Sequence, residues 1–398
     1  MDLGNGLGHL TYSTLVHPGD NWAEIWNSLT TYVPKVKERI SPRNPFGVSL
    51  RLAAESARTL ANDKRERDKL KKFLADNDMY LYTVNAFPYG PFKGTRVKEQ
   101  VYEPDWRSEE RTQYTINVAE VLGDVAPEGS APSIQSPPLG FKPRVTGPDV
   151  VDAFTEHVIR VVAHLIGLRE RTGRTVGLAL EPEPYCFLET TAETVDYFTN
   201  HLYAGKSAVR LARLAGIPIS EAHAALRRHL GVVFDICHQA VEFENISESL
   251  QQLVDAGIPV LKLQEAAAIY MPQVNQKVVD SLQRYADTIY LTQTKEKKEG
   301  AFTMYLNLED AFAAWKKEQS AREWRTHIHV PVFLDDLGHF RTTRFAIEDA
   351  LRFHKANPVS RQLEIETYTW DVLPASLKTG DIVDYVCREL EWVQEQLR

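Results

Sequence analysis

Short apolar segments bounded by turns alternate with longer segments of helical spacing along almost the whole chain, and this restricts the fold most. The short segments are His9–Val16, Phe46–Leu52, Met79–Ala86, Ser133–Ser136, Val176–Glu181, Gly231–Asp235, Pro259–Gln264, His327–Phe333 and Leu363–Thr367, with a weaker one at Ile289–Gln293. Among the longer segments, residues 148–172 set Val151, Phe154, Val158, Val161, Leu165 and Leu168 on one stripe and stop at Gly173. Asn21 with Glu24, Thr190 with Glu193 and Asn245 with Glu248 carry the spacing of capped helix starts. Strands alternating with helices predict a parallel sheet joined by helical crossovers. Eight such units make a (β/α)8 barrel, so at least one candidate strand is an excursion. The stretch from about 287 to 333, longer and less regular, is the expected insertion after the seventh strand of a single barrel over residues 1–398.

Strand parity separates a closed barrel from an open sheet, because alternate side chains face opposite ways. In "VGLALEP" Gly177, Ala179 and Glu181 oppose Val176, Leu178 and Leu180; in "GVVFD" Gly231, Val233 and Asp235 oppose Val232 and Phe234. Gly47, Ser49 and Arg51 likewise oppose Phe46, Val48 and Leu50, Lys262 and Gln264 oppose Leu261 and Leu263, and Glu364 and Glu366 oppose Leu363 and Ile365. One face is bulky and apolar, fit to lie under helices. The other is small at first and polar at the C-terminal end. Active sites of barrels sit at that end, and an open doubly wound sheet would bury both faces in apolar helices. Parity therefore predicts the barrel, with Arg51, Asn85, Glu181, Asp235, Gln264 and Glu366 converging on one mouth.

Composition excludes other classes. A net charge of −8 and a pI near 5.9 argue against gripping a phosphate backbone, which needs clustered Lys and Arg. Three cysteines with no CxxC predict neither a disulfide framework nor an oxidising compartment, hence a cytoplasmic protein. No apolar run is long enough for a membrane span, and no secretory leader is visible.

The converging groups predict chemistry. Glu181, Asp235, Glu366, Gln264 and His238 form a set rich in carboxylates, which repel in a shared cavity unless protonated or offset by a cation. A divalent metal such as Mn, Zn, Mg or Co answers that need. Asp235 and His238 face opposite ways on a continuing strand, so they share a metal only if the chain turns at Asp235. A metal-free glycosidase pair of Glu181 and Glu366 is the rival reading. His327 and His329 in "THIHVPVF" read either as an H-x-H metal pair or as structural imidazoles. Lys262 reads as a substrate contact or a buried ion-pair partner. Glu183 and Glu364, which share parity with the site acids, read as salt-bridge partners, and Cys186, Cys237 and Cys387 as packed residues.

"EPEP", "FDICH" and "IETYTW" at successive strand ends resemble the xylose-isomerase-like superfamily of sugar isomerases, epimerases and endonuclease IV. That resemblance implies metal ligation by Glu181, Asp235, His238 and Glu366. It puts Gln264 where the family usually has His, with His327 or His329 as alternative occupants of that vertex. "FGVSLRL", "NAFPYGPFKGTRVKEQVYEPDW", "HVPVFLDDLG" and "ETYTWDVLP" resemble the EboE family of metabolite-traffic proteins, encoded beside secondary-metabolite pathways. It implies a small-molecule partner and association with other Ebo-cluster proteins. The expectation is a metal-dependent isomerase or epimerase of a sugar-like or polyhydroxylated metabolite. Glu181 and Glu366 would be catalytic, Arg51, Asn85 and Lys262 would bind substrate, and loop 87–106 would close over it. A non-catalytic metabolite carrier and an endonuclease-like phosphodiesterase are the rivals.

Overall fold

Eight parallel strands form the closed frame that the parity predicts. The computed structural model describes residues 1–92, 96–286, 289–371 and 380–398. Residues 93–95 of the loop 87–106, residues 287–288 of the expected insertion and the "VLP" of "ETYTWDVLP" lie outside the described residues. Strands β1 (His9–Tyr12), β2 (Phe46–Arg51), β3 (Met79–Asn85), β4 (Ser133–Ser136), β5 (Gly177–Leu180), β6 (Leu230–Asp235) and β7 (Val260–Glu265) are followed by five strands of a second sheet. These are β8 (Ala267–Met271), β9 (Thr294–Lys298), β10 (Ala301–Tyr305), β11 (Glu323–Val330) and β12 (Arg341–Thr342); β13 (Gln362–Ile365) then completes the barrel. The order β1-β13-β7-β6-β5-β4-β3-β2 closes through a parallel bridge between Ser13 and Ser49. Thus the fold is a (β/α)8 barrel.

Helix starts follow the capping signals. The Asn21 side chain accepts from the Glu24 amide at 3.0 Å, and Thr190 with Glu193 forms a reciprocal capping box. Apolar outward residues such as Val232, Phe234, Leu178 and Leu363 are buried beneath the helices. Small inward residues leave room for larger ones: a Cβ on Gly231 would lie 2.4 Å from the Pro259 carbonyl oxygen, and one on Gly177 would lie 2.8 Å from Leu261.

That last contact corrects the parity reading of one residue. Val232 pairs with Val260 but Val233 pairs with Lys262, so β7 carries an extra residue and Leu261 approaches the inward glycines instead of the helices. Beyond the irregularity Lys262 and Gln264 pair with the inward Val233 and Asp235 as expected.

The insertion is larger than 287–333. Its antiparallel sheet, ordered β10-β9-β11-β8-β12, runs from Ala267 to Thr342 and begins almost directly after β7. The candidate strand at Ile289–Gln293 gives way to β9, starting at Thr294, while His327 and His329 lie on β11. No helix among the described residues is long and apolar enough to cross a membrane.

Candidate metal centre

Asp235 ends β6 and caps the next helix, Ile236–Val241, with its Oδ1 accepting from the His238 amide at 3.1 Å. This turn lets residues three apart approach one another: His238 Nε2 lies 3.7 Å from Asp235 Oδ2. Oδ2 is buried and has no hydrogen-bond partner.

Three imidazoles meet at this point. His327 Nε2 lies 3.2 Å from His238 Nε2 and 3.2 Å from His329 Nε2, while His329 Nε2 is 3.9 Å from Asp235 Oδ2. The Nδ1 of each ring faces an oxygen that can only accept: the Pro182 carbonyl at 2.8 Å for His238, Gln293 Oε1 at 3.0 Å for His327 and the Glu366 carbonyl for His329. Each Nδ1 must therefore carry the proton, which leaves the Nε2 lone pairs aimed at one another. Burial and the neighbouring imidazoles keep the rings neutral; burial holds His238 down to about 3 and His329 to about 4, and His327 well below its ordinary value.

Neutral nitrogens facing one another at 3.2 Å repel unless a cation lies between them. A tetrahedral shell with metal–nitrogen bonds of about 2.0–2.1 Å separates its nitrogens by roughly 3.3 Å. The donor set fits a divalent ion. The Nδ1 acceptors are the outer partners that commonly orient metal-binding histidines.

Glu181, Asp235 and Glu366 form an adjoining acidic group with donor oxygens within 4.8 Å of one another. Gln135 donates to Glu181 at 2.7 Å and Asn85 donates to Glu366 at 2.8 Å. Burial, then repulsion from Glu366 and Asp235, raises Glu181 well above the carboxylate range. Burial, then Glu364, pushes Glu366 up to about 8, while burial moves Asp235 to about 6 against the pull of His329. Among the described residues no Lys or Arg forms an ion pair with these three acids.

Other expected site residues lie elsewhere. Arg51 donates to the Gly19 and Gly90 carbonyls at 2.7 and 2.9 Å and pairs with Asp20 at 3.0 Å, so it ties loops together at the rim instead of facing substrate. Lys262 is fully buried, 3.0 Å from Glu364 and 2.7 Å from Gln135 Oε1. It is the ion-pair partner of the two readings. Gln264 donates to Glu364 at 3.2 Å, and its Oε1 is buried without a partner. Asn85 does line the cavity while holding Glu366.

Glu183 belongs to the site despite its reading as a salt-bridge acid. It accepts from Tyr102 at 2.8 Å, its other oxygen is unpartnered, and burial pushes it up to about 8. With His238 and His327 it forms a further possible ligand group, and Cys237 does so with His327 and His329. Glu183 stands two residues beyond Glu181 in "EPEP", its one sequence signal. Gln135 and Gln293 carried none, since an amide at a strand end is ordinary.

Above these groups opens a cavity reached by Glu181, Glu183, Glu366, His238 and His327. The fold and this donor set together define a barrel with a candidate metal centre at its C-terminal mouth. No family model matches the sequence, and no curated protein matches it. Among solved structures the chain is similar to the IolI protein with a bound zinc atom, at 11% identity and a TM-score of 0.48 over 98% of each chain. It is similar also to a xylose isomerase-like TIM barrel protein from Mycobacterium smegmatis in complex with magnesium, at 11% identity and a TM-score of 0.47 over 97% of this chain and 98% of that one. The 3-keto-D-glucoside 4-epimerase of E. coli matches at 12% identity and 0.43 over 98% of both. At these identities and scores the likenesses assign no activity to this chain.

Proposed function

We propose that the chain is a divalent-metal-dependent isomerase or epimerase of a polyhydroxylated metabolite, within the xylose-isomerase-like superfamily and of EboE type. The observation that carries this reading is the meeting of three Nε2 atoms, two of which, on His238 and His329, lie 3.7 and 3.9 Å from the unpartnered Asp235 oxygen. The motifs "EPEP", "FDICH" and "IETYTW" support the family placement.

His238, His327, His329 and Asp235 would hold the ion, with Glu181 and Glu366 able to add oxygens. Bound there, a divalent metal supplies Lewis acidity to substrate oxygens and acidifies the adjoining C–H or O–H. The protein's own groups move the proton. Glu181 and Glu366 both line the cavity, each held by one amide, and their raised affinity for protons suits transfer near neutral pH. One carboxyl takes a proton from the substrate carbon and the other returns one. Return to the opposite face inverts the centre; return to the neighbouring carbon, with the hydroxyl proton passing from one substrate oxygen to the other, isomerises it. Asn85 and Gln135 fix the two carboxyls.

Metal content after reconstitution with Mn, Zn, Mg or Co tests the first half of the reading. We expect about one ion per chain as the least the donor set holds, and loss of binding in His327→Ala. A chain that takes up no divalent ion overturns the reading. Deuterium uptake from D2O by a panel of aldoses and ketoses tests the second half, with Glu181→Gln and Glu366→Gln abolishing it. Ligand binding without any exchange would support the carrier reading instead.

A further inference from the structure

The cavity has two unlike halves. Its floor carries the acids, imidazoles and amides described above, whereas its upper wall is apolar: Leu15, Phe87, Phe92, Val97, Val101 and Leu291. Three aromatic rings join wall to floor. Phe92 lies 4.8 Å from Tyr290 and 5.5 Å from Tyr368 between centroids, and Tyr368 lies 4.6 Å from the His329 ring. A free sugar has hydroxyls on every side and would leave many of them against this wall without hydrogen bonds.

The charge of the lining also discriminates. Among the described lining residues Lys98 is the one cation, and its ammonium donates to Asn307 Oδ1 at 2.8 Å. Arg51 is held by backbone carbonyls and Asp20, and Lys262 lies sealed against Glu364. A phosphate on the substrate would meet Glu181, Glu183 and Glu366, with no second cation beside Lys98 among the described lining residues.

We infer that the substrate is amphipathic, bearing an apolar substituent next to its metal-binding oxygens, and that it is not a sugar phosphate. This rests on the proposed metal centre, since the ion orients the polar end towards the floor. The apolar substituent then lies against Phe92, Val97 and Leu291, where it gains the burial that a bare polyol cannot.

Hydroxamates separate the two ends, because one head chelates the metal while the tail varies. Calorimetry on the metal-loaded chain would compare acetohydroxamate, hexanohydroxamate, benzohydroxamate and phosphonoacetohydroxamate. Each buried methylene tightens binding about fourfold, so the two apolar tails should bind at least about tenfold tighter than acetohydroxamate. The phosphonate should bind no tighter than acetohydroxamate. Val97→Ser, at a half-buried wall position, should shrink the apolar advantage several-fold and leave acetohydroxamate affinity unchanged. Leu291→Ser is a second, independent wall variant.

Equal affinity for acetohydroxamate and benzohydroxamate overturns the inference, and so does tightest binding by the phosphonate. Tail-dependent binding that survives removal of the metal would sink the metal reading and leave the apolar wall standing. If none of the four binds a chain shown to hold metal, the inference is overturned while the metal site stands.

Discussion

Lys262 and Glu364 face each other at 3.0 Å in full burial, one inward step below the level of Gln264 and Glu366. Above them Glu181, Asp235 and Glu366 are just as buried, yet no Lys or Arg among the described residues pairs with them. The lower layer carries its own cation; the upper layer has three neutral imidazoles where a cation would stand. Stripping charge of water costs several kcal/mol per ion and calls for compensation in both places. Two layers of the same barrel therefore answer one electrostatic problem differently. The layer that is closed internally holds the fold, and the layer left open can accept an ion and a substrate.

The largest expected effect tests the closed layer. Lys262→Met leaves Glu364 buried without its partner and should cost about 3–5 kcal/mol by urea denaturation. A loss below about 1 kcal/mol, the size of a surface pair, would remove the distinction between the layers.

The pH dependence of stability probes the open layer. Glu366 holds its proton up to about 8 in the fold, above its ordinary 4.5. Its stabilising contribution is complete below about 4.5 and is lost as pH rises through 8, about 2–3 kcal/mol by neutral pH. Metal-stripped protein should therefore weaken between pH 5 and 8 in thermal denaturation. Metal-loaded protein, with a cation beside the carboxylates, should lose that slope. Identical pH profiles with and without metal would break the comparison.

Adding metal should itself stabilise the chain, by about 2.7 kcal/mol at a concentration a hundred times Kd. His329→Ala should abolish most of that gain while changing the metal-free protein much less. A metal-induced rise in Tm undiminished in the variant would place the ion elsewhere. At the small end, Arg51→Gln should cost about 1–2 kcal/mol through the lost carbonyl bonds and leave metal affinity unchanged. A drop in metal affinity would move Arg51 from the rim into the site.

The barrel was legible because parity survives in side-chain type: a strand reading Gly-Val-Val-Phe-Asp has one face for helices and one for the mouth. Asp235 and His238 were legible because the apolar run stops where the chain has to turn. The extra residue in β7 was not, since Val-Leu-Lys-Leu-Gln alternates equally well with Leu261 facing either way. Arg51 misled for a related reason: a charge at a strand end looks aimed at a ligand until loop carbonyls are found around it. The two readings of His327 and His329 hinged on where β11 docks, and the pairing of β11 with β8 and β9 is long-range. Gln264 lies on β7, and histidines of the inserted sheet lie at the proposed centre.

That origin gives the insertion a second consequence. His238 rides on the barrel and His327 and His329 on the added sheet, 89 residues further along the chain at their nearest hydrogen-bonded contact. The added sheet precedes β13 in the chain, and a captured ion would tie it to the helix that follows β6. Limited proteolysis across β8–β12 would then report metal occupancy directly, with a chelator exposing cleavage sites that the loaded protein keeps shut. A module of this kind supplies two imidazoles to the centre without altering the barrel's own strands.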